Sequence, residues 1–148
     1  MATSTIIQFL GPGEAGDTSN RSQRETFIAS TVISSGDWVS FDTSKTGADR
    51  VLYVGVIDTS GGAIALGVPV IGVATQNAAI GDNVEVVIGG YAGKANVATG
   101  TAAGIAVALD TTTSGRAVAA DAANVNIAGI TLAVAASNSA PVHVLKQF

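Results

Sequence analysis

From Phe27 to its end the chain alternates short apolar runs with clusters of Gly, Asp, Asn, Ser and Thr. The β-branched trio Thr31-Val32-Ile33 precedes the turn Ser34-Ser35-Gly36-Asp37, and large and small side chains then alternate over Trp38–Asp42. Val51–Ile57 is continuously apolar and predicts a strand buried on both faces. Further strands are predicted over Val68–Thr75, over Val84–Ile88 with Gly89-Gly90 as its stop, and over Ile105–Leu109. Arg116–Ala119, Ile127–Ala135 and Val142–Leu145 complete the set. Turn signals recur about every 8–12 residues, the spacing of a sandwich or barrel. Alanine is abundant but stands among Gly, Thr and β-branched residues, so no sustained helical stripe forms; Asp121–Asn126 has room for one helical turn. The pattern is all-β.

Residues 1–27 read differently. Ile6, Ile7, Phe9 and Leu10 make one apolar patch, followed by Gly11-Pro12-Gly13 and a polar stretch holding Arg21 and Arg24. Gly and Pro at that density exclude a helix, and the polar stretch has no core-facing period. An extended N-terminal arm is expected over 1–27, and a β domain over 28–148.

Two segment types occur twice within that domain. Ile33-Ser-Ser-Gly-Asp-Trp-Val-Ser-Phe-Asp42-Thr-Ser is echoed by Thr101-Ala-Ala-Gly-Ile-Ala-Val-Ala-Leu-Asp110-Thr-Thr. The segment Ile71–Val87, two strands about a small-residue turn, is echoed by Gly129–Leu145. The order is kept across about 31–91 and 92–148, which predicts two similar β-units sharing one body.

Composition narrows the function. Charged residues make up 12% of the chain, against about 25% in ordinary soluble domains. The net charge is −4, with only seven Lys and Arg, so no basic stripe is available for nucleic acid. Little charge with much Ala, Val, Gly and Thr implies that other subunits cover part of the surface. Cysteine is absent, which removes disulfides and thiolate metal sites. The longest apolar run, Ala63–Ala74, is too short to span a bilayer, and the N-terminus has no positively charged signal-peptide region.

Catalytic patterns are scarce. His143, the single histidine, sits between Val142 and Val144 and reads as the solvent-facing position of a strand. Gly11–Gly16 lacks the Lys-Ser/Thr of a phosphate loop. Asp37, Asp42, Asp82 and Asp110 fall at turns, where short carboxylates cap backbone N–H groups, and no D-x-D-x-D-G calcium loop occurs. Asn20-Arg21-Ser22 fits the glycosylation pattern without a secretory signal to make it relevant. Trp38 reads as an anchor of the core or of a subunit interface; a sugar-stacking platform would instead use Trp38 with Phe41, or show Trp38, Tyr53 or Tyr91 exposed. No enzyme, no cofactor and no metal is expected; a carbohydrate-binding β-sandwich is the alternative, and a two-carboxylate glycosidase ranks below it.

The stretch Gly72-Val-Ala … Gly81-Asp-Asn-Val-Glu-Val-Val-Ile-Gly-Gly-Tyr-Ala92, then Thr101–Asp110 and Gly115-Arg-Ala-Val118, resembles the decoration (cement) proteins of tailed-phage capsids. Ile130–Ala136 and His143-Val-Leu-Lys146 are similar to that family's last two strands. The resemblance covers 68–148 well and 31–67 loosely; it does not include the arm. It implies a β-tulip-like barrel or β-sandwich that forms a homotrimer on the outer surface of a virion, after synthesis in the host cytoplasm. There it would bridge neighbouring copies of the major capsid protein. Ile6, Ile7 and Phe9 of the arm, with Arg21, Arg24 and Trp38, are the candidate partner-binding residues.

Overall fold

A computed structural model describes residues 22–56, 69–121 and 127–146. Nine strands are defined: β1 (Ser22–Ala29), β2 (Trp38–Phe41), β3 (Tyr53–Val56), β4 (Val70–Ala74), β5 (Asn83–Asn96), β6 (Ala106–Leu109), β7 (Ala117–Ala119), β8 (Ile127–Thr131) and β9 (Ser139–Val144). A 3-10 turn, Gly47–Val51, precedes β3. The fold is all-β, as the spacing of apolar runs and turns predicts.

The strands run β1-β3-β2-β4-β5 and β5 pairs back with β1, which closes a five-stranded barrel. From β5 the sheet continues through β9, β8 and β6 to β7, and the parallel bridge Val97↔Ala117 returns it to the end of β5. This second ring has the connectivity of the first. In each, the first strand lies parallel to the third (Ala29↔Val54, Val97↔Ala117), and the second strand pairs with the third and fourth. Both second strands carry a bulge at the same point, between Val39 and Ser40 and between Val107 and Ala108. The 14-residue β5 is therefore the last strand of one unit and the first of the next.

Local chemistry repeats with the topology. The Asp42 carboxylate accepts the Ser44 N–H at 2.9 Å and hydroxyl at 2.6 Å; Asp110 accepts the same two groups of Thr112, each at 2.7 Å. A short acceptor thus satisfies the turn that leaves each second strand. Gly72 and Gly129 stand opposite Val39 and Val107 beside the bulges. A Cβ on Gly72 would fall on the Val87 carbonyl, and one on Gly129 would lie 2.7 Å from the His143 carbonyl, so the close strand approach requires glycine at both.

Several boundaries differ from the expected ones. Ser22–Phe27, expected in the arm, is strand, because its backbone pairs with β5 from Gly90 to Val84; residues 1–21 lie outside the described residues. The first unit accordingly begins in β1, ahead of residue 31, and the second begins inside β5. Gly89-Gly90 does not end its strand: Gly90 pairs with Ser22 on one edge and Val144 on the other, and the two ladders carry β5 on to Asn96. Val51 and Leu52 belong to the 3-10 turn and its exit and are exposed, so only Tyr53–Val56 of that apolar run is strand; Ile57 is outside the described residues. Of Thr31–Ile33 only Ile33 pairs, in a bridge to Ala78. β8 stops at Thr131, whose hydroxyl turns inward and donates to the Ala102 carbonyl at 2.6 Å. Asp121 leaves β7 as irregular chain, and 122–126, where a helical turn was expected, is not described.

The two cores differ in how they are filled. The first holds Phe27, Val39, Val54, Ile71, Val84 and Ile88. Where it has Phe27, Val54, Ile71 and Val84, the matching positions of the second hold Ala95, Ala117, Ala128 and Ala140. The missing volume is supplied from outside the unit, by Trp38.

Candidate interaction surfaces and the junction between units

Trp38 opens β2, so its side chain alternates with Val39: Val39 points into the first barrel and Trp38 out of it. The indole is fully buried and joins the cluster of Val97, Val107, Leu109 and Ala117 in the second unit. Its far edge lies 3.2 Å from where a Gly129 Cβ would be, and its Nε1 donates to the Asn96 carbonyl at 3.0 Å. Both needs of a buried indole, apolar contact and a partner for its N–H, are met. Trp38 is thus a core residue joining the units and is not available as an interface anchor or a sugar platform.

The backbone around it is inserted as well. In the first unit Ile28 N–H donates directly to the Leu52 carbonyl at 2.8 Å, which shuts the barrel. The matching groups of the second unit are Asn96 N–H and the Gly115 carbonyl. They do not bond each other: Asn96 N–H donates to Gly36 O at 2.8 Å, and Gly115 O accepts from Trp38 N–H at 3.0 Å. Gly36–Trp38 is wedged between β5 and β7 and completes the ladder there. Asp37 at the centre of the wedge is half-buried and accepts from the Ser34 N–H at 2.8 Å and the Asn96 amide at 2.7 Å. Burial raises its pKa above the usual carboxylate value, and these hydrogen bonds and the nearby Lys94 offset only part of that.

The other singled-out residues are dispersed. Arg24 on β1 pairs with Glu85 on β5 at 2.9 Å, with both side chains substantially exposed. Ile6, Ile7, Phe9 and Arg21 lie outside the described residues. His143 is exposed on β9, flanked by Tyr91 of β5 and Ile130 of β8. It lines a shallow recess of about 490 Å³ with Ser22, Gln23, Gly89, Gly90 and Lys146, and among the described residues no carboxylate lines that recess. Tyr53 lies beneath Lys45, whose ammonium is 4.8 Å from the ring centroid. Asp110 is 5% exposed and accepts the Arg116 Nε at 2.7 Å. Its burial alone would raise the pKa; the Thr112 hydroxyl and N–H and the Arg116 guanidinium outweigh it and hold the carboxyl below its usual range. Asp42 is also held low, chiefly by the Ser44 hydroxyl. Among the described residues no three His, Cys, Asp or Glu side chains converge as metal ligands, and no helix is long and apolar enough to cross a membrane.

A 410 Å³ cleft marks the seam between the units. Ser35, Val73 and Thr75 form one wall, Tyr91, Gly93 and Lys94 the other. Sequence reasoning ended β5 at Gly89-Gly90 and so missed this seam; the repeat of Gly36 at Gly104, with Trp38 in one copy and Ala106 in the other, was the available signal.

No family model matches the chain, and no curated protein matches it. Among solved structures, it is similar to the N base of the head fiber gp8.5 of bacteriophage phi29, with 12% identity and a TM-score of 0.55. The match covers 83% of this chain and 93% of that one, so the likeness extends over both units.

Proposed function

We propose that this chain is a non-enzymatic structural protein of a phage virion, one that decorates the outside of the capsid and bridges neighbouring major capsid proteins. The observation that carries the reading is the fold: over 83% of this chain and 93% of the other, it is similar to the base of a phage head fiber. The resemblance of Gly72–Ala92 and Thr101–Val118 to capsid cement proteins points the same way from the sequence. The surface supports it in kind. Among the described residues Val32, Val51, Ile80 and Val134 are all more than half exposed, an apolar display suited to association.

In this reading the body assembles as a homotrimer, and Ile6, Ile7 and Phe9 of the N-terminal segment add anchoring contacts on the shell. Three modest contacts joined in one trimer gain strongly through effective concentration. The test is to mix purified protein with expanded capsids, prepared without it, of the phage that carries the gene, and to sediment the particles. Stoichiometric co-sedimentation is expected, with density at three-fold positions by cryo-microscopy. Protein left in the supernatant at micromolar concentration overturns the proposal.

A further inference from the structure

The duplication makes the molecule its own control, because each surface of one unit has a counterpart on the other. The first unit leans on the second with one defined face, Asp37 and Trp38 at the start of β2, Val73 on β4 and Val87 on β5, and Thr75 beside it lines the seam cleft. By register, the counterparts in the second unit are Ile105, Ala106, Ile130, Leu132 and His143. Among the described residues nothing covers this second face: Ile105, Ile130 and Leu132 are each more than a third exposed.

The receiving side shows the same relation. The second unit receives the wedge at Asn96 and Gly115, and Ser114 and Ser137 line the polar recess beside Asn96. Asn96, Gly115 and Ser114 correspond to Ile28, Leu52 and Val51 of the first unit, and Ile80 stands beside them in the turn whose Gly81 N–H donates to the Ala29 carbonyl. Gly115, small and buried where the wedge meets it, is matched in the first unit by an exposed Leu52. Leu52, Val51 and Ile80 are between 46% and 67% exposed. Six of the nine exposed large apolar residues among the described ones therefore fall on these two faces.

We infer that these two faces are for each other: the Ile105–Ile130–Leu132 face of one copy docks on the Val51–Leu52–Ile80 face of the next, head to tail. The occupant is a second copy of this chain because the two faces are the counterparts of the two sides on which the units meet within one chain. The shapes agree. The wedge of the first unit carries an indole, and the barrel that receives it has alanines. The second unit has Ala106 in place of Trp38, and the first barrel, filled by Phe27 and Ile71 and shut by the Ile28–Leu52 hydrogen bond, has no hole to fill. Contact between copies is then side chain on side chain, without an inserted strand. Such a heterologous contact closes into a ring or runs on as a filament, and a cyclic trimer is the ring case that the proposed function requires.

The chain has no cysteine, which permits a direct test. Leu52→Cys and Ile105→Cys variants, mixed and mildly oxidised, are expected to form a mixed disulfide dimer, while neither alone cross-links. The variants Ile80→Lys and Ile105→Asp, with unchanged far-ultraviolet circular dichroism, are expected to run as monomers by light scattering where the parent is an oligomer. A monomeric parent, an oligomer that survives both charge substitutions, or cross-links only between like variants would overturn the inference. Capsid sedimentation separates this from the reading on which it rests. Mixed cross-links without capsid binding remove the virion role and leave the interface; capsid binding by a parent that stays monomeric does the reverse.

Discussion

The Trp38 N–H donates to the Gly115 carbonyl at 3.0 Å, across 77 residues of sequence and from one β-unit into the other. The equivalent carbonyl in the first unit, that of Leu52, is taken by its own unit. One hydrogen bond thus marks where an otherwise faithful duplication breaks its symmetry. The indole that follows fills the space left by four alanines, so the second core is complete only when the first unit is folded against it.

Trp38→Ala is therefore expected to cost about 3–5 kcal/mol, the range for truncating a large buried aromatic. The sharper expectation concerns its compensation. Ala128→Ile restores the residue that the first unit has as Ile71, and beside Trp38 it overpacks the core, at a cost of about 1–3 kcal/mol. In the Trp38→Ala background the same change refills the cavity and stabilises. A double-mutant cycle by urea denaturation reads the reversal of sign.

Gly72 and Gly129 are matched by position but not by consequence. A methyl on Gly72 meets the Val87 carbonyl and the Val86 side chain, and the backbone of β5 must move. On Gly129 it meets the His143 carbonyl at 2.7 Å and the rim of the indole at 3.2 Å. Gly72→Ala should lose the more stability, beyond the roughly 1–3 kcal/mol of ordinary overpacking, and Gly129→Ala should remain within it. Paired thermal denaturation curves check the order.

The two ion pairs differ in the same way. Arg24 and Glu85 are both well exposed, and Arg24→Ala should change stability by less than about 1 kcal/mol. Arg116 holds a carboxylate that is almost wholly buried, and Arg116→Ala should cost roughly 1.5–3 kcal/mol, the scale of hydrogen bonds to a charged group. Denaturation at low and high salt separates the two, with only the Arg24 effect screened away.

Alternation and turn residues made most of the strands legible in the sequence, and the paired Gly36/Gly104 and Asp42/Asp110 segments made the duplication legible. The shared strand was not, because Gly89-Gly90 carries a local stop signal that two flanking ladders override. Val51 and Leu52 read as core because hydropathy does not distinguish a side chain buried within the chain from one left exposed on it. The interaction faces stayed hidden for the same reason: Ile105, Ile130 and Leu132 have a strand's alternation, and only the register shows that their counterparts are covered. From the sequence Trp38 suits a core or an interface alike; in the fold it fills a core that belongs to the other unit.

Acid titration offers the last test, because the turn aspartates are held in opposite directions. The folded-state pKa of Asp110 is depressed, so its contribution is complete above the unfolded value of about 3.9 and is lost as pH falls through the folded value. Asp37 is raised, so its contribution is present below the unfolded value and is lost as pH rises through the folded one. Asp110→Asn removes the first dependence: its stability deficit against the parent, full at pH 7, should shrink steadily below about pH 4. Asp37→Asn should behave in the opposite sense, with a deficit that is largest in acid and smaller at neutral pH. Urea midpoints between about pH 2 and 7 measure both. Parallel curves for the two variants would mean that the burial of Asp37 and the Arg116 contact of Asp110 do not set these carboxyl groups apart.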